Sequence, residues 1–376
     1  MKKSKAVFIS ILLALSILIL DRNHLAYADF DDPLGLNEAL KNIFPIDINL
    51  CGSFSMISNS GALAVLSIQN EVYAQSNRGN DFSDWVSVSG NQPWGDYFIS
   101  DLDVSNTGVD YAVLSAGNII YYTGGSLVVY DANNNNYYVV NNAWGWRALN
   151  SATAPWGQTF VNKIAFQPQV GSLEAGIIAL VEGFIYYKKL SDTAIFQDGG
   201  WQNVKDNRPW GFNTVTDVAI STIQSMIVGY VIAGGRLYHH PDLNDLTNKD
   251  WILDQTGSPY LTNLSNLDKD NTATLITTDS TNVFATNDVC ANNFYPTNID
   301  SPLNISLVDC NLNQPWGTAP IVDVSIGRDI DGNICIGEYA VLAGDSDLVP
   351  YRNDNYKWIN AEKNAPWKLP GGPCAP

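Results

Sequence analysis

Five tryptophans that each follow a proline are the residues of this chain best suited to contact a ligand. They are Trp94, Trp156, Trp210, Trp316 and Trp367, and a glycine follows the first four. An exposed indole beside Asp, Asn and Gln side chains suits a sugar-binding cleft, because the ring stacks on the apolar face of a pyranose while the polar groups bind its hydroxyls. We therefore predict these tryptophans as candidate ligand-binding residues. The structural alternative is that each ring fills the space between two neighbouring sheets.

Three carboxylates occupy equivalent positions, six residues after a turn glycine: Asp101, Asp217 and Asp323. They could line a central channel and hold a cation. Equally, each could accept hydrogen bonds from the backbone of its own turn, as turn aspartates often do. We expect the second role.

A short acidic run resembles the opening of a calcium loop and makes Asp329, Asp331 and Asn333 weak candidates for metal ligands. The downstream acid of an EF-hand is absent and no flanking helices are evident. A hairpin turn explains the run equally well, so we expect no cofactor, with calcium as the exception to test.

The sequence lacks the residues that most enzyme mechanisms require. After residue 28 the only histidines are His239 and His240, which are adjacent and would face opposite sides of a strand. This argues against histidine-dependent triads and typical zinc sites. The arginines lie in unlike repeat positions, whereas a sialidase needs them clustered around the substrate carboxylate. We expect no enzymatic activity; a propeller glycoside hydrolase with a carboxylate site is an open alternative, since it needs only two acids.

The tryptophans belong to a repeat of about fifty to sixty residues. Each unit has a strand led by Trp or its substitute, the Pro-Trp turn, a strand such as VTDVAIS, an apolar strand such as AGIIALV, and a short aromatic strand such as FIYYKK. Four short antiparallel strands per repeat are typical of one β-propeller blade. We predict an all-β, six-bladed β-propeller of four-stranded antiparallel blades, with the ring closed where the N- and C-terminal parts meet. The fifth unit is weakest, so five or seven blades stay open, and the polar insertion 131–142 is predicted as a loop.

The start of the chain resembles a secretory signal peptide, with lysines, an apolar run of 15 residues and Ala26-Tyr27-Ala28. We predict a signal peptide at 1–28, a lead-in segment at 29–50 and the propeller at 51–376. The product would be secreted or periplasmic, without membrane insertion after cleavage. A formal net charge of −18 makes nucleic acid a poor partner, because phosphate backbones would be repelled.

Five cysteines in an exported chain predict disulfides with one thiol left over. The repeat register brings Cys51 and Cys374 to the same seam, so we predict a bond between them. Cys290 and Cys310 form the next predicted pair and leave Cys335 free. A bond between Cys310 and Cys335 is the competing arrangement.

The order of Trp-led strand, Ile/Val-Ser strand, apolar strand and Tyr-bearing strand resembles the tectonin-type β-propeller lectins over roughly residues 52–368. Those repeats usually carry a Val-Trp-Gly-Val core, whereas the apolar strands here, such as YAVL, lack that tryptophan. The resemblance implies a ring that binds glycans at several places. A secreted, lectin-like carbohydrate-binding module is therefore the predicted function. A protein-interaction propeller, with a surface protein as partner, is the alternative.

Overall fold

The chain divides into two compact units, Met1–Ile48 and Asn49–Pro376. The computed structural model describes the second unit from Ser55 to Leu369. Residues outside the description within this range are 60–62, 77–83, 107–109, 132, 134–135, 150–153, 168–174, 191–199, 205–207, 224–225, 257–263, 265–266, 270–274, 280–281, 287–299, 306, 310–313, 329–336, 344–348, 355–356 and 363. The predicted signal and lead-in segments lie outside it as well.

The described chain is all-β and contains six antiparallel sheets of four strands each. The first three sheets follow one another along the chain. Sheet 1 consists of β1 (Ser55–Asn59), β2 (Leu63–Ile68), β3 (Glu71–Ser76) and β4 (Val86–Ser87). Sheet 2 consists of β5 (Ile99–Asn106), β6 (Asp110–Ala116), β7 (Ile119–Gly125) and β10 (Arg147–Ala148). Between β7 and β10 in the chain, β8 (Val128–Asp131) and β9 (Asn136–Val139) form a separate two-stranded hairpin. Sheet 3 consists of β11 (Lys163–Gln167), β12 (Ala175–Val181), β13 (Phe184–Leu190) and β14 (Gln202–Asn203).

The last three sheets repeat the same order. Sheet 4 consists of β15 (Val215–Ile223), β16 (Met226–Ala233), β17 (Arg236–His240) and β18 (Ile252–Leu253). Sheet 5 follows β19 (Gln255–Thr256) and consists of β20 (Leu267–Lys269), β21 (Leu275–Asp279), β22 (Asn282–Thr286) and, after β23 (Asn304–Ile305), β24 (Leu307–Asp309). Strands β19 and β23 form a small parallel pair. Sheet 6 consists of β25 (Ile321–Arg328), β26 (Gly337–Ala343), β27 (Val349–Asp354) and β28 (Lys357–Asn360). Helical structure in this part of the chain is limited to two 3₁₀ turns, Asn141–Ala143 and Pro366–Lys368.

The second strand of a sheet is the most deeply buried, and its composition explains why. Every residue of β2 and of β12 is buried, on both faces of the strand. A strand can be apolar throughout only when both faces of its sheet are covered. The sheets are therefore packed face to face, with side chains of neighbouring sheets in contact.

The first strands of the sheets form a connected series. Strand β1 contacts β5, β5 contacts β11, and β11 contacts β15. Strand β20 then contacts both β15 and β25, and β25 contacts β1. The first and last sheets of the described chain are thus neighbours.

The insertion at 131–142 is not the loop that its polar composition predicted. Asn136–Val139 form strand β9, which pairs with β8 in an antiparallel register. Asn133, between the two strands, lies in a turn, and its N–H donates to Asp131 Oδ1 at 2.9 Å. Valine and tyrosine on either side supply the β-propensity that the compositional argument overlooked.

Candidate functional site

The Pro-Trp-Gly turns place their tryptophans at the junctions between sheets. The glycine has a φ of 60–63° in all four turns, a conformation that glycine adopts without the steric cost of a Cβ. In each turn its N–H donates to the carbonyl three residues earlier, as Gly211 does to Arg208. Proline fixes φ at the second position of the turn. This local chemistry turns the indole toward the next sheet.

Each turn tryptophan packs against one tryptophan and one tyrosine of the following sheet, with the rings edge-on or tilted. Trp94 contacts Trp146 and Tyr121, with ring centroids 5.4 and 5.6 Å away. The same pairing recurs at other junctions: Trp156 with Trp201 and Tyr186, Trp210 with Trp251 and Tyr238, Trp316 with Trp358 and Tyr351, and Trp367 with Trp85 and Tyr73. The last set joins the turn after sheet 6 to sheet 1. Pro259-Tyr260, the degenerate turn after sheet 4, lies outside the described residues.

The five tryptophans predicted as ligand-binding residues are buried. Trp94, Trp156, Trp210, Trp316 and Trp367 are 0–6% exposed. Two of their indole N–H groups are also used internally, since Trp94 Nε1 donates to Asn70 O at 2.8 Å and Trp156 Nε1 donates to Asn118 O at 2.9 Å. A sugar could stack on these rings only if the junctions opened. The burial favours the structural interpretation, in which the rings fill the space between sheets.

Other aromatic side chains lie exposed beside the same turns. We call Tyr97, Phe98, Phe160, Phe184 and Phe212 the aromatic rim. Phe212 is fully exposed, and Tyr97, Phe98 and Phe184 are 56, 44 and 40% exposed. Phe160 is partly buried and its ring centroid lies 6.3 Å from that of Tyr97. Large side chains with this exposure are typical of interaction surfaces.

The rim lies along one edge of the sheets. At this edge the segments that follow the Pro-Trp-Gly turns are hydrogen-bonded to the hairpins between the second and third strands. Ile99 N donates to Gln69 O at 2.8 Å, and Val161 N donates to Gly117 O at 2.9 Å. We call this the turn edge. Sequence reasoning missed the rim, although one signal was present: four rim residues lie two to four positions after a turn tryptophan.

Polar groups accompany the rim between sheets 3 and 4. The Arg208 guanidinium lies over the Phe184 ring, with Cζ 4.5 Å from the ring centroid. Asn213 follows Phe212, and its side chain lies directly against Gly234 in the hairpin of sheet 4. An exposed ring with a cation and an amide beside it can offer both stacking and hydrogen bonds to a ligand.

A second cluster lies where the first strands meet. Lys163 Nζ is 3.5 Å from Asp101 Oδ1 and 3.8 Å from Asp217 Oδ1, and Asp323 also faces this group. These side chains, with Asp103, line a cavity of about 20 Å³. That volume holds about one water molecule, far less than the roughly 300–1,000 Å³ of small-molecule sites. The cluster therefore holds strands together and leaves no room for a sugar.

The carboxylates bind mainly across sheets, which corrects the expectation that each caps its own turn. Asp101 Oδ2 accepts a hydrogen bond from Ile164 N at 2.7 Å, and Asp323 Oδ2 accepts one from Ile57 N at 2.9 Å. Within its own strand, Asp217 Oδ1 accepts a hydrogen bond from Val218 N at 2.8 Å, and the backbone of Leu102 also bonds to Asp101. A local argument could not find partners that lie on another repeat.

Burial raises the pKa of Asp101, Asp103 and Asp323 in this cluster. It raises the pKa of Asp323 from 3.8 to about 8, helped by the charges of Asp101 and Asp217 and opposed by Lys163. Burial likewise raises the pKa of Asp103 to about 7, against the hydrogen bond from Phe166 N. Burial lowers the pKa of Lys163, but the three aspartates outweigh it and raise that pKa above its usual value. Lys163 therefore stays charged, and Asp323 is largely protonated at neutral pH.

The two histidines make separate structural contacts. His239 Nδ1 lies 2.8 Å from Asp254 Oδ1, and both side chains are fully buried. His240 Nε2 lies 3.0 Å from Lys249 O, and burial lowers the pKa of His240 to about 4. Within the described ranges, no three His, Cys, Asp or Glu side chains are arranged to hold a metal ion.

Several predicted residues cannot be placed. Asp329, Asp331 and Asn333, the weak metal candidates, lie outside the described residues, as do all five cysteines. The disulfides Cys51–Cys374 and Cys290–Cys310 stay predictions. The part of the chain that is described has no helix long and apolar enough to cross a membrane.

Compared with known proteins, the chain shows similarity in structure but not in sequence. No family model and no curated protein matches the sequence. Among solved structures, the Malassezia sympodialis allergen Mala s 1 is similar at 11% identity and a TM-score of 0.45, covering 78% of this chain and 87% of the allergen. Trypanosoma rangeli sialidase is similar at 11% identity and a TM-score of 0.44, covering 82% of this chain and 53% of the sialidase. The Dos1 propeller gives 12% identity, a TM-score of 0.36, and coverage of 81% and 69%. At these scores, the fold rests on the sheets and their contacts alone.

Proposed function

We propose that the chain is an exported, closed six-bladed β-propeller that binds carbohydrate at its turn edge. The six sheets would be the blades, with their first strands around the axis. The contacts of sheet 6 with sheet 1 support closure. Trp367 packs on Trp85 and Tyr73, Trp85 Nε1 donates to Ala361 O at 2.8 Å, and Ile57 N donates to Asp323.

The exposed aromatic rim carries the functional part of the proposal. Its rings offer flat apolar surface to solvent, and arginine and asparagine side chains stand beside them. Sugars need both, because a pyranose has an apolar face and a ring of hydroxyls. Repetition along several junctions would allow one branched glycan to contact more than one site, which raises avidity.

The test is a glycan array probed with the full chain and two matched variants. Phe212→Ala removes a fully exposed ring, and Ile359→Ala removes an exposed apolar side chain from β28. We expect glycan binding by the wild type and Ile359→Ala, and a loss of roughly 5- to 30-fold in Phe212→Ala, since stacking on an aromatic ring is worth roughly 1–2 kcal/mol. All three proteins should unfold at closely similar temperatures.

The outcomes separate the alternatives. Equal binding by Phe212→Ala and wild type contradicts the rim as the site. Absence of glycan binding, with capture of a purified surface protein, would favour the protein-interaction propeller. Turnover of a glycoside that is lost on replacing one carboxylate would favour the hydrolase.

A further inference from the structure

The junction between sheets 3 and 4 contains an arginine whose position is set by its surroundings. Arg208 is the first residue of its Pro-Trp-Gly turn, and its carbonyl accepts a hydrogen bond from Gly211 N at 3.0 Å. The following proline restricts the backbone of Arg208. Its guanidinium stacks on Phe184, so less side-chain freedom remains to be lost when a ligand binds.

Corresponding residues of other turns are used differently. Gln92 Nε2 donates to Gly95 O at 3.2 Å, and Gln314 Nε2 donates to Gly317 O at 3.0 Å. Both amides thus close their own turns. Gln92 Nε2 also donates to Asn70 O in the hairpin of sheet 1 at 3.0 Å, whereas Arg208 covers the Phe184 ring of sheet 3 and, among the described residues, makes no ion pair. In a chain with 38 acidic and 20 basic residues, a cation without such a pair stands out.

The same junction has apolar surface and a second cation. Phe212 is fully exposed one residue after the turn glycine. Arg236, also exposed, begins β17 directly after Gly234 and Gly235. The Asn213 side chain, next to Phe212, lies against Gly234 and so connects the turn to this hairpin. Arg208 therefore lies on the turn itself, over Phe184 of sheet 3, and Arg236 lies beside the hairpin of sheet 4 that Asn213 contacts.

We propose that this junction binds an acidic sugar, with the carboxylate on Arg208 and the apolar face of the pyranose on Phe212. The inference rests on the proposed function and deepens it by naming the ligand class. A guanidinium binds a carboxylate through two parallel N–H···O bonds, which fixes orientation as well as charge. The contact with the Phe184 ring holds the guanidinium at the turn edge, where its N–H groups would bind the ligand.

The net charge of −18 does not exclude an acidic sugar as the ligand, but it limits how large such a ligand can be. Charges more than about 8 Å apart are largely screened at physiological salt, so the groups at the junction itself, the two arginines and Glu182 in the hairpin of sheet 3, set the local field. A long polyanion would extend over other acidic surface and be repelled. The site fits one terminal or isolated acidic residue of a glycan.

The experiment compares glycans that carry a uronic or sialic acid with neutral counterparts, using the full chain. We expect acidic glycans to bind at least about 10-fold more tightly, the scale of one charge-assisted pair. Arg208→Gln should abolish this preference, and Arg208→Lys should restore part of it, since lysine keeps the charge without the planar fork. Arg147→Gln removes an exposed arginine on β10 and should leave the preference intact.

Failure of this inference differs from failure of the proposed function. Equal binding of acidic and neutral glycans, or a preference unchanged in Arg208→Gln, overturns the acidic-sugar site and leaves carbohydrate binding in place. A preference for sulfated over carboxylated glycans overturns the assignment of a carboxylate. No glycan binding at all overturns both.

Discussion

Replacing Asp323 by asparagine should stabilise the protein at alkaline pH and flatten the pH dependence of its unfolding. Asp323 is 6% exposed, and burial raises its pKa from 3.8 to about 8. Between about pH 4 and pH 8 the folded state keeps a proton that the unfolded state has released. The free energy of unfolding contributed by this group therefore falls as pH rises through that window and levels off above the folded pKa.

The size of the effect follows from the same rise in pKa. It corresponds to roughly 5 kcal/mol between the two protonation states. Lys163 and water in the cavity respond to the charge, so we expect a change of about 2 kcal/mol between pH 5 and pH 9. Asparagine cannot ionise, yet it keeps an oxygen for Ile57 N, now 2.9 Å from Asp323 Oδ2. Alanine removes that acceptor and should cost about 1–3 kcal/mol at every pH.

Urea unfolding followed by tryptophan fluorescence at pH 5, 7 and 9 measures these differences. The wild type should be about as stable as Asp323→Asn at pH 5 and less stable at pH 9, with Asp323→Ala less stable than Asp323→Asn throughout. The reasoning is refuted if the gap between wild type and Asp323→Asn is the same at pH 5 and pH 9. It is also refuted if asparagine is the less stable variant at pH 9.

Three further predictions concern the junctions and the axis. Lys163→Met leaves the buried carboxylates without their cation and should cost about 3 kcal/mol or more at pH 8 but less at pH 5, where Asp103 and Asp323 are protonated. Urea titrations at both pH values check this, and an equal loss would contradict it. Trp367→Ala should lower the free energy of unfolding by about 3–5 kcal/mol, because the ring fills the contact between sheets 6 and 1. Trp367→Phe should cost less. Thermal unfolding of both variants measures these losses, and a loss below about 1 kcal/mol for Trp367→Ala would argue against closure there. Gly211→Ala should lower the free energy of unfolding by about 1 kcal/mol, because Gly211 has a φ of 63° and the added Cβ would have open space around it. Urea unfolding measures this loss, and a much larger one would show that the added methyl group clashes with a neighbour.

Local sequence chemistry predicted the repeating part of the fold well. The Pro-Trp-Gly turns and the four-strand order recur as the period indicated, since both depend on residues close in sequence. Which turn aromatic faces solvent could not be predicted in this way. Trp210 is buried because Tyr238 and Trp251, from the next repeat, cover it, while Phe212 two residues later has no such cover.

In the cluster around Lys163, one contact could have been predicted from the sequence and the others could not. Lys163 lies six residues after Gly157, the position that aspartate occupies in three other repeats. Aligning the repeats on the turn glycine would have placed it opposite those carboxylates. The hydrogen bonds from Ile164 and Ile57 to Asp101 and Asp323 could not be foreseen, because they join different sheets.

The most direct test of the account is to observe which aromatic rings a bound glycan contacts. The full chain carrying ¹³C-labelled phenylalanine and tryptophan rings would be titrated with a glycan identified on the array and followed by NMR. We predict shifts in the Phe212 and Phe184 ring signals, assigned through Phe212→Ala and Phe184→Ala, with Trp210 unchanged. Shifts in Trp210 and the other turn tryptophans, with both phenylalanines unaffected, would contradict the account.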